Sequence, residues 1–572
     1  MIPLLVAFTL ATMLIFLFRQ WRYRSPYEHI PGPAPSSLFG YLLDLYNPEG
    51  LGWHFQMTEK FGHVARLKGG IVGSDALYIT DPTALHSILV RDHNVFRNSI
   101  EFSGLFGIVH HGDGLASVYD DEHKKQRKLI DPIFTPNRIS KLTPLFYNVA
   151  RQMKASLAAD LASAPPGQEI DILDVTVRTS LELIAQAGLG HTFNSFDRDS
   201  KEFKEFHWAI TSVLLTASRL FLFLPYLETW RKMKPVWLRR SLARLVPYIP
   251  WSAPRKFQEA SETMYPIYQT VLEDKKRLFR QGGMEALEES ATSGKDLMTL
   301  LFKSNWEAQT DDKMPDDVVI ANLSAVVHGA QETTSGALSR FVSLLASNPS
   351  LQDQLREELR EARDVRHNST TIRINSNTCA CCSTKLKGSD ELDFHELNDL
   401  PFLDAVCRET LRLFTPVTFV LKRAIEDTVV PLQYPIRDVK TGQEMHEILI
   451  TKGTHVYVGL AAANRSAAIW GPDASVFRPE RWFGKMGHES TAENTRLPGL
   501  YSNMMTFLGG PRACPGMRFA IHEIKLVLST LLQSFAFEKA SSDIDWKLYI
   551  TLTPYVAGDD TGPKVPVKAY PL

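Results

Sequence analysis

Cysteine is scarce in this chain. Its five residues among 572, Cys379, Cys381, Cys382, Cys407 and Cys514, are too few and too unevenly spaced for the disulfide framework of a secreted scaffold. A reducing compartment follows, and the odd count leaves at least one thiol for other work. An excess of one charge is missing as well: 63 Lys+Arg against 64 Asp+Glu leave a formal net charge of -1. That balance excludes simple capture of a polyanion, because a nucleic-acid binder carries a basic excess that displaces counterions from phosphates. Internal repeats and low-complexity linkers are also lacking, so residues 41–572 read as one large unit. Hydrophobic residues at 44% and charged residues at 22% exclude a disordered, collagen-like or wholly membrane-embedded chain.

Long uncharged runs are confined to the N-terminus. Residues 2–18 read IPLLVAFTLATMLIFLF, 17 residues without a charge, and Arg19, Arg22 and Arg24 come directly after them. That length meets the lower limit of about 17 residues for a membrane-spanning helix, and the basic flank lies on its C-terminal side. The reading is a single-pass anchor over residues 1–18 with the body in the cytosol. A cleaved signal peptide would instead place its positive charge before the apolar run. Residues 19–40 then form a basic, proline-rich hinge, since Pro31, Pro33 and Pro35 forbid helix and favour a stiff extended segment.

The most informative stretch is Phe507, Leu508, Gly509, Gly510, Pro511, Arg512, Ala513, Cys514, Pro515, Gly516. Glycine and proline make a tight turn, and the apolar-periodic residues 517–532 behind it read as a helix. With Pro515 at the first helical position, Cys514 would sit at a helix N-terminus, where the dipole and free amides lower a thiol pKa. Arg512, alternating in direction from its neighbours, could reach an anionic group beside the sulfur. A thiolate so placed is a good iron ligand; a buried structural cysteine is the bland alternative.

This stretch resembles the haem-binding signature of the cytochrome P450 family, Phe-x-x-Gly-x-Arg-x-Cys-x-Gly, with Phe507, Gly510, Arg512, Cys514 and Gly516 in place. Five fixed positions recur by chance in a chain this long on the order of 10⁻⁴ times. The resemblance implies haem b as cofactor, with Cys514 as the axial ligand of its iron.

Residues 315–347 contain no proline after Pro315 and carry helical periodicity until Asn348 and Pro349 stop it. At its middle stand His328, Gly329, Ala330, Gln331, Glu332, Thr333 and Thr334, poor helix formers whose presence signals function or a packing notch. In the resembled family this is the oxygen-binding kink, and Glu332 and Thr333 match its acid and alcohol, which implies a proton relay to dioxygen. The family usually shows Ala-Gly where this chain has Gly329-Ala330, which puts the fine shape of the groove in question. Gln331 is expected to tune the acid's hydrogen bonding.

Further motifs fall in the family's order. Residues 404–413 read as a helix carrying Glu409 and Arg412 on one face, by itself an ordinary surface pair worth about 0.3 kcal/mol. Downstream stand Pro479, Glu480, Arg481 and Trp482, and in the family the equivalents of Glu409, Arg412 and Arg481 form a triad that fixes the fold around the haem. His123 and Arg127, four apart, share a helical face; either this is a solvated basic face, or, as the resemblance implies, it contacts the haem propionates, with Arg423 as a further contact. Lys124, Lys125 and Lys128 offer a rim on which an acidic electron donor could dock.

Residues 213–227 are aromatic and aliphatic, interrupted by Arg219 and succeeded by Arg231, Lys232, Lys234, Arg239 and Arg240. The stretch is too short and too charged to span a bilayer, so it reads as an interfacial segment or a buried core helix. Residues 365–388 fit no pattern, separate a helix-like 352–363 from residues 391–393, and hold three cysteines. A disordered loop, a zinc site and translated non-coding sequence are the three readings.

The resemblance spans nearly the whole chain after the hinge. It implies a mainly α fold with a small β region, the cytochrome P450 fold, behind one transmembrane helix in the endoplasmic reticulum membrane. The implied activity is hydroxylation or epoxidation of a lipophilic small molecule, a specialised metabolite such as a terpenoid or polyketide. Electrons would come from NADPH-cytochrome P450 reductase, with cytochrome b5 as a second donor, since no flavin or dinucleotide motif is present. The rivals are a haem-thiolate isomerase or dehydratase needing no oxygen, a fatty-acid or xenobiotic hydroxylase, and a non-catalytic haem sensor.

Overall fold

The computed structural model describes residues 25–70, 74–163, 165, 167–220, 223–288, 296–308, 310–375, 391–483 and 496–572. The expected anchor at residues 2–18 lies outside the described residues. Among those described, no helix is long and apolar enough to cross a membrane. By internal packing the chain divides into two units, one of residues 1–99, 417–475 and 491–513, the other of residues 100–416, 476–490 and 514–572.

The first unit holds most of the β structure. Its five-stranded sheet runs in the order Val64–Leu67, Ala76–Ile79, His455–Gly459, Phe419–Ala424, Phe96–Asn98, and one neighbouring pair, Ala76–Ile79 with His455–Gly459, is parallel. The adjacent strands Ala76–Ile79 and His455–Gly459 are buried on both faces, Leu77, Ile79, Val456 and Val458 on one and Tyr78 and Tyr457 on the other, as strands covered on two sides require. Asp81 ties the helix Pro82–His86 to the strand Thr428–Arg437, which pairs separately with Glu444–Ile450: its carboxylate caps Ala84 N at 3.0 Å and accepts from the backbone N–H of Gln433 and Tyr434.

The second unit is helical, with two small sheets, Glu169–Asp171, Pro566–Pro571 and Phe535–Lys539, and the hairpin Ile544–Leu548 with Leu552–Val556. A long interior helix, Asp316–Ala346, is preceded by Pro315 and led by Asp316 and Asp317, whose charges suit a helix N-terminus. Leu338, Phe341, Val342 and Leu345 are all buried, and each such side chain contributes about 1.5–3 kcal/mol of burial. A helix apolar nearly all round belongs to the interior. The predicted helix over 517–532 is observed as Met517–Leu532, and the predicted 404–413 as Pro401–Leu413.

One expectation is corrected. The helix read as 352–363 is Pro349–Asn375, so the first part of the 365–388 segment is helical rather than loop. An outward-facing continuation needs no apolar stripe: Val365 is exposed, and Arg366 pairs with Glu396. Residues 376–390, with the three cysteines behind the zinc reading, lie outside the described residues. The greasy 213–227 stretch divides: Val213, Leu214 and Ala217 are buried in the helix Lys201–Arg219, while Phe223 and Tyr226 are exposed.

Candidate active site

Gly510 adopts φ +72°, and a Cβ there would lie 2.0 Å from the carbonyl oxygen of Leu89, so only glycine fits. Phe507 ends the turn Met505–Phe507 and meets Tyr501 edge-on at 5.8 Å. Residues Gly510–Arg512 form a 3₁₀ turn rather than the extended stretch from which Arg512 would alternate. Helix begins at Met517, two residues later than Pro515 as first helical residue would require. The consequence for Cys514 survives this shift, because the backbone amides of Gly516 and Met517 both favour its thiolate.

The balance on that sulfur differs from the expectation of a lowered pKa. Burial raises the Cys514 thiol above its ordinary value, and the two amides and the charge of Arg127 oppose this without reversing it. The same residue is exposed by surface area. The sulfur is thus crowded by protein yet reachable. The other described cysteine, Cys407, is buried, and its thiol is pushed up to about 12 by the same cause. Cys407 is therefore inert, and Cys514 is the reachable sulfur among the described residues.

His123 and Arg127 both lie on the helix Asp120–Ile130, the first buried and the second half-buried, with the Arg127 Nε 3.0 Å from Asp131 Oδ2. Of the rim lysines, Lys124 pairs with Asp121 at 3.1 Å and Lys128 with Asp312 at 2.9 Å, so part of their charge is already answered within the chain.

In the first unit, Arg423 stands directly opposite Arg97 on one neighbouring strand and His455 on the other. Cross-strand partners project from one face, where like charges repel unless an anion joins them. Arg97 carries no motif in the sequence, since only the strand register aligns it with Arg423. On the alternate face, Lys422 is buried with its Nζ 2.7 Å from Asn98 Oδ1, and burial together with the charge of Arg512 lowers its pKa to about 7.

The long helix runs unbroken through residues 328–334. Thr333 donates its hydroxyl to the Gly329 carbonyl at 2.6 Å, the contact that makes such a residue tolerable in mid-helix. Glu332 accepts from the Thr211 hydroxyl at 3.2 Å, and burial raises its pKa to about 7. Gln331 does not bond the acid: it is fully buried, and neither of its side-chain polar atoms has a partner.

A haem fits the residues present. Gly329, Val326, Ala330 and Thr333 share one helical face and are accessible, although the helix is otherwise an interior one. A Cβ added at Gly329 or at Gly516 would meet no protein atom within 4 Å. Protein crowding thus explains neither glycine. A soft sulfur whose thiolate nearby amides favour is the donor chemistry a haem iron takes, and the Arg127 guanidinium with an N–H of His123 suits carboxylate side groups.

Glu409 and Arg412, read alone as a surface pair, are fully buried. One Glu409 oxygen accepts from Arg412 Nη2 at 2.8 Å, the Arg478 N–H at 3.0 Å and Arg481 Nε at 3.4 Å. The other accepts from Arg412 Nε at 2.9 Å and Trp482 Nε1 at 3.1 Å. Trp482 is therefore more than the aromatic of its motif: it is a donor to the same carboxylate.

Residues 30–554 match the family model described as Cytochrome P450. The chain is 36% identical over 545 residues to cytochrome P450 monooxygenase 91 of Postia placenta, covering 95% of this chain and 94% of that one. It is 33% identical over 570 residues to ganoderic acid synthetase CYP5150L8 of Ganoderma lucidum, covering 99% and 98%. It is also 32% identical over 562 residues to the cytochrome P450 monooxygenase eriI of Hericium erinaceus, covering 96% of each.

Proposed function

The chain belongs to the cytochrome P450 family, and from that premise we propose that it oxygenates a lipophilic specialised metabolite, with Cys514 holding the haem iron. It is an oxidoreductase of the monooxygenase class, and its cofactor is a haem with a thiolate-ligated iron. The bound haem supplies the redox chemistry by which one atom of dioxygen enters a C–H or C=C bond and the other leaves as water. The observation that carries the assignment of Cys514 is its exposed position in the Gly- and Pro-built turn, where the Gly516 and Met517 amides and Arg127 all favour the thiolate. Those donors and that charge favour the anionic sulfur, while His123 and Arg127 of the same unit would bind the haem's propionates.

Glu332 and Thr333 handle protons. With burial raising it to about 7, the Glu332 carboxyl is poised to give and retake a proton at neutral pH, and the Thr333 hydroxyl is one residue further along the helix. Glu332→Gln is expected to lower turnover by about 10²-fold and to flatten a pH profile that in the wild type falls as pH rises through 7, where the acid form is depleted. The fraction of NADPH electrons recovered in product should fall in parallel. Stability gives the same titration a second readout. The folded chain holds this proton more tightly than the unfolded one, so the contribution is fully present below pH 4.5 and lost as pH rises through 7. Glu332→Gln should therefore match the wild type in urea midpoint at pH 4.5 and exceed it at pH 8.

The specialised-metabolite reading is supported by the similarity to a ganoderic acid synthetase. Membrane association rests on residues 2–18 and on the exposed Phe223, Tyr226, Trp237, Leu245 and Tyr248, interleaved with Lys232, Lys234 and Arg244, a composition suited to the bilayer interface. Electrons would come from NADPH-cytochrome P450 reductase, with cytochrome b5 as a second donor, across the rim of Lys124, Lys125 and Lys128. The test is a host producing terpenoids and polyketides, given a reductase with or without this chain. A product heavier than its precursor by one oxygen is expected only with both proteins; an isomer or a dehydrated product of unchanged oxygen demand would overturn the reading.

A further inference from the structure

Two cavities of the second unit lie in series on one side of Glu332. The inner, of about 140 Å³, is lined by Glu332 and Ser335 of the long helix, by His207 and Thr211, and by Asp171 and Asp174. The outer, of about 360 Å³, has the same Asp171 and Asp174 in its wall and reaches Ser163, Gln168 and Arg198, which are exposed. The two carboxylates therefore stand between solvent and the cavity that holds the acid.

An acid that gives up a proton at each turnover must be reloaded, and its position decides from where. Ala330 and Thr333 occupy the helical face next round from that of Glu332, Ser335 and Gly336, so Glu332 stands at the border between the two. A lipophilic substrate covering Ala330 and Thr333 excludes water on that side, which leaves the inner cavity as the supply. Its lining suits water. Thr211 donates its hydroxyl to Glu332 at 3.2 Å, and His207 lies one turn before Thr211 on the helix Lys201–Arg219, sharing its face. Burial holds the His207 ring neutral at pH 7, lowering its pKa to about 4 against the charge of Asp174. A neutral imidazole has one N–H donor and one bare nitrogen acceptor. An enclosed water needs room and about two to four polar partners, and a carboxyl, a hydroxyl, an imidazole and two carboxylates supply them here. A ring wanted only for its stacking on Phe203, at 5.6 Å and 12°, would be phenylalanine, which has no nitrogen to desolvate.

We propose that Glu332 is reloaded from bulk solvent through these two cavities, with His207 as the positioning residue that orders the water between Asp174 and Glu332. The proposal rests on the reading of Glu332 as the proton-handling acid and assigns its supply to residues that no sequence motif marks. The oxygen atom that leaves as water takes two protons per turnover. Each enters from solvent beside Asp171 and Asp174 and passes along the ordered water to the Glu332 carboxylate, which becomes the carboxyl again; the His207 ring stays neutral throughout.

The test uses the full-length, haem-loaded protein with dodecylimidazole bound, whose ring takes the ferric iron and whose chain keeps water from the substrate side; the shifted Soret band reports its occupancy. Below pH 7, where Glu332 holds its proton, the protein is mixed into deuterium oxide and the carboxyl C=O stretch is followed in the infrared. The band missing from Glu332→Gln identifies the residue. His207→Phe should slow the deuterium shift of that band about tenfold or more, whereas His207→Gln, which keeps polar atoms beside the cavity, should exchange at nearly the wild-type rate. Val177→Phe, filling the same cavity from the helix Ile172–Ile184, should slow it too, and carries the test if His207→Phe does not fold. Unchanged exchange in the phenylalanine variants, or a His207→Gln variant as slow as His207→Phe, overturns the proposal. Failure of the reading beneath it shows separately, as a Glu332→Gln enzyme with the turnover and pH profile of the wild type.

Discussion

Replacing Cys514 with serine is expected to abolish the red-shifted Soret band that the dithionite-reduced, carbon monoxide-treated wild type should display, and monooxygenation should be lost with it. The expectation follows from the sulfur's surroundings. Burial alone would keep the thiol protonated, and the Gly516 and Met517 amides with Arg127 only partly oppose that. A metal cation tips the balance, because a coordinating thiol is deprotonated outright. A serine hydroxyl in the same place is a harder donor with a far higher pKa, and it lacks the electron release by which a thiolate favours O–O cleavage. Cys407→Ser is the matched control. That thiol is buried and pushed up to about 12, so its exchange should leave the band in place. A red-shifted band surviving in the Cys514 variant, or a wild type whose spectrum is that of imidazole ligation, would remove the basis of the assignment.

Signals confined to a few consecutive residues are legible in the order of the amino acids alone. Proline and Asn348-Pro349 punctuation bounds the long helix at 315–347, and the observed helix is Asp316–Ala346. The apolar period of residues 517–532 is reproduced without a shift. Features that depend on the third dimension are not legible in this way. An unamphipathic run reads as loop from residue 365, yet a helix anchored by packing at its start propagates at little further cost, and here it reaches Asn375. Helix position predicts a lowered pKa for Cys514, but desolvation, which no sequence window reports, is the larger influence. Arg97 gains meaning only from strand register with Arg423, and His207 with Glu332 only from packing between segments far apart in the chain. Spacing suggests a surface pair at Glu409 and Arg412 for the same reason: it gives the face, not what covers it.

Glu409→Ala is expected to leave little folded, haem-bearing protein. Its carboxylate neutralises Arg412 and also accepts from Arg481, from Trp482 and from the Arg478 backbone, all at a buried point. Removing it takes from two buried guanidinium groups the carboxylate they share, and breaking one partner of a buried pair costs about 3–5 kcal/mol. Since a domain's net stability is only about 5–15 kcal/mol, that loss leaves a chain near its threshold. Glu409→Gln keeps the volume and an acceptor oxygen but not the charge, so it should fall between the alanine variant and the wild type. The surface pair of Lys124 and Asp121 supplies the contrast: at 3.1 Å it is as close, but it is exposed, and replacing both with alanine should move stability by less than about 1 kcal/mol. Urea midpoints and haem bound per chain measure both effects. If Glu409→Ala retained the wild-type midpoint and full haem, the carboxylate would be dispensable and the segments carrying Arg412 and Arg481 would be held by packing alone.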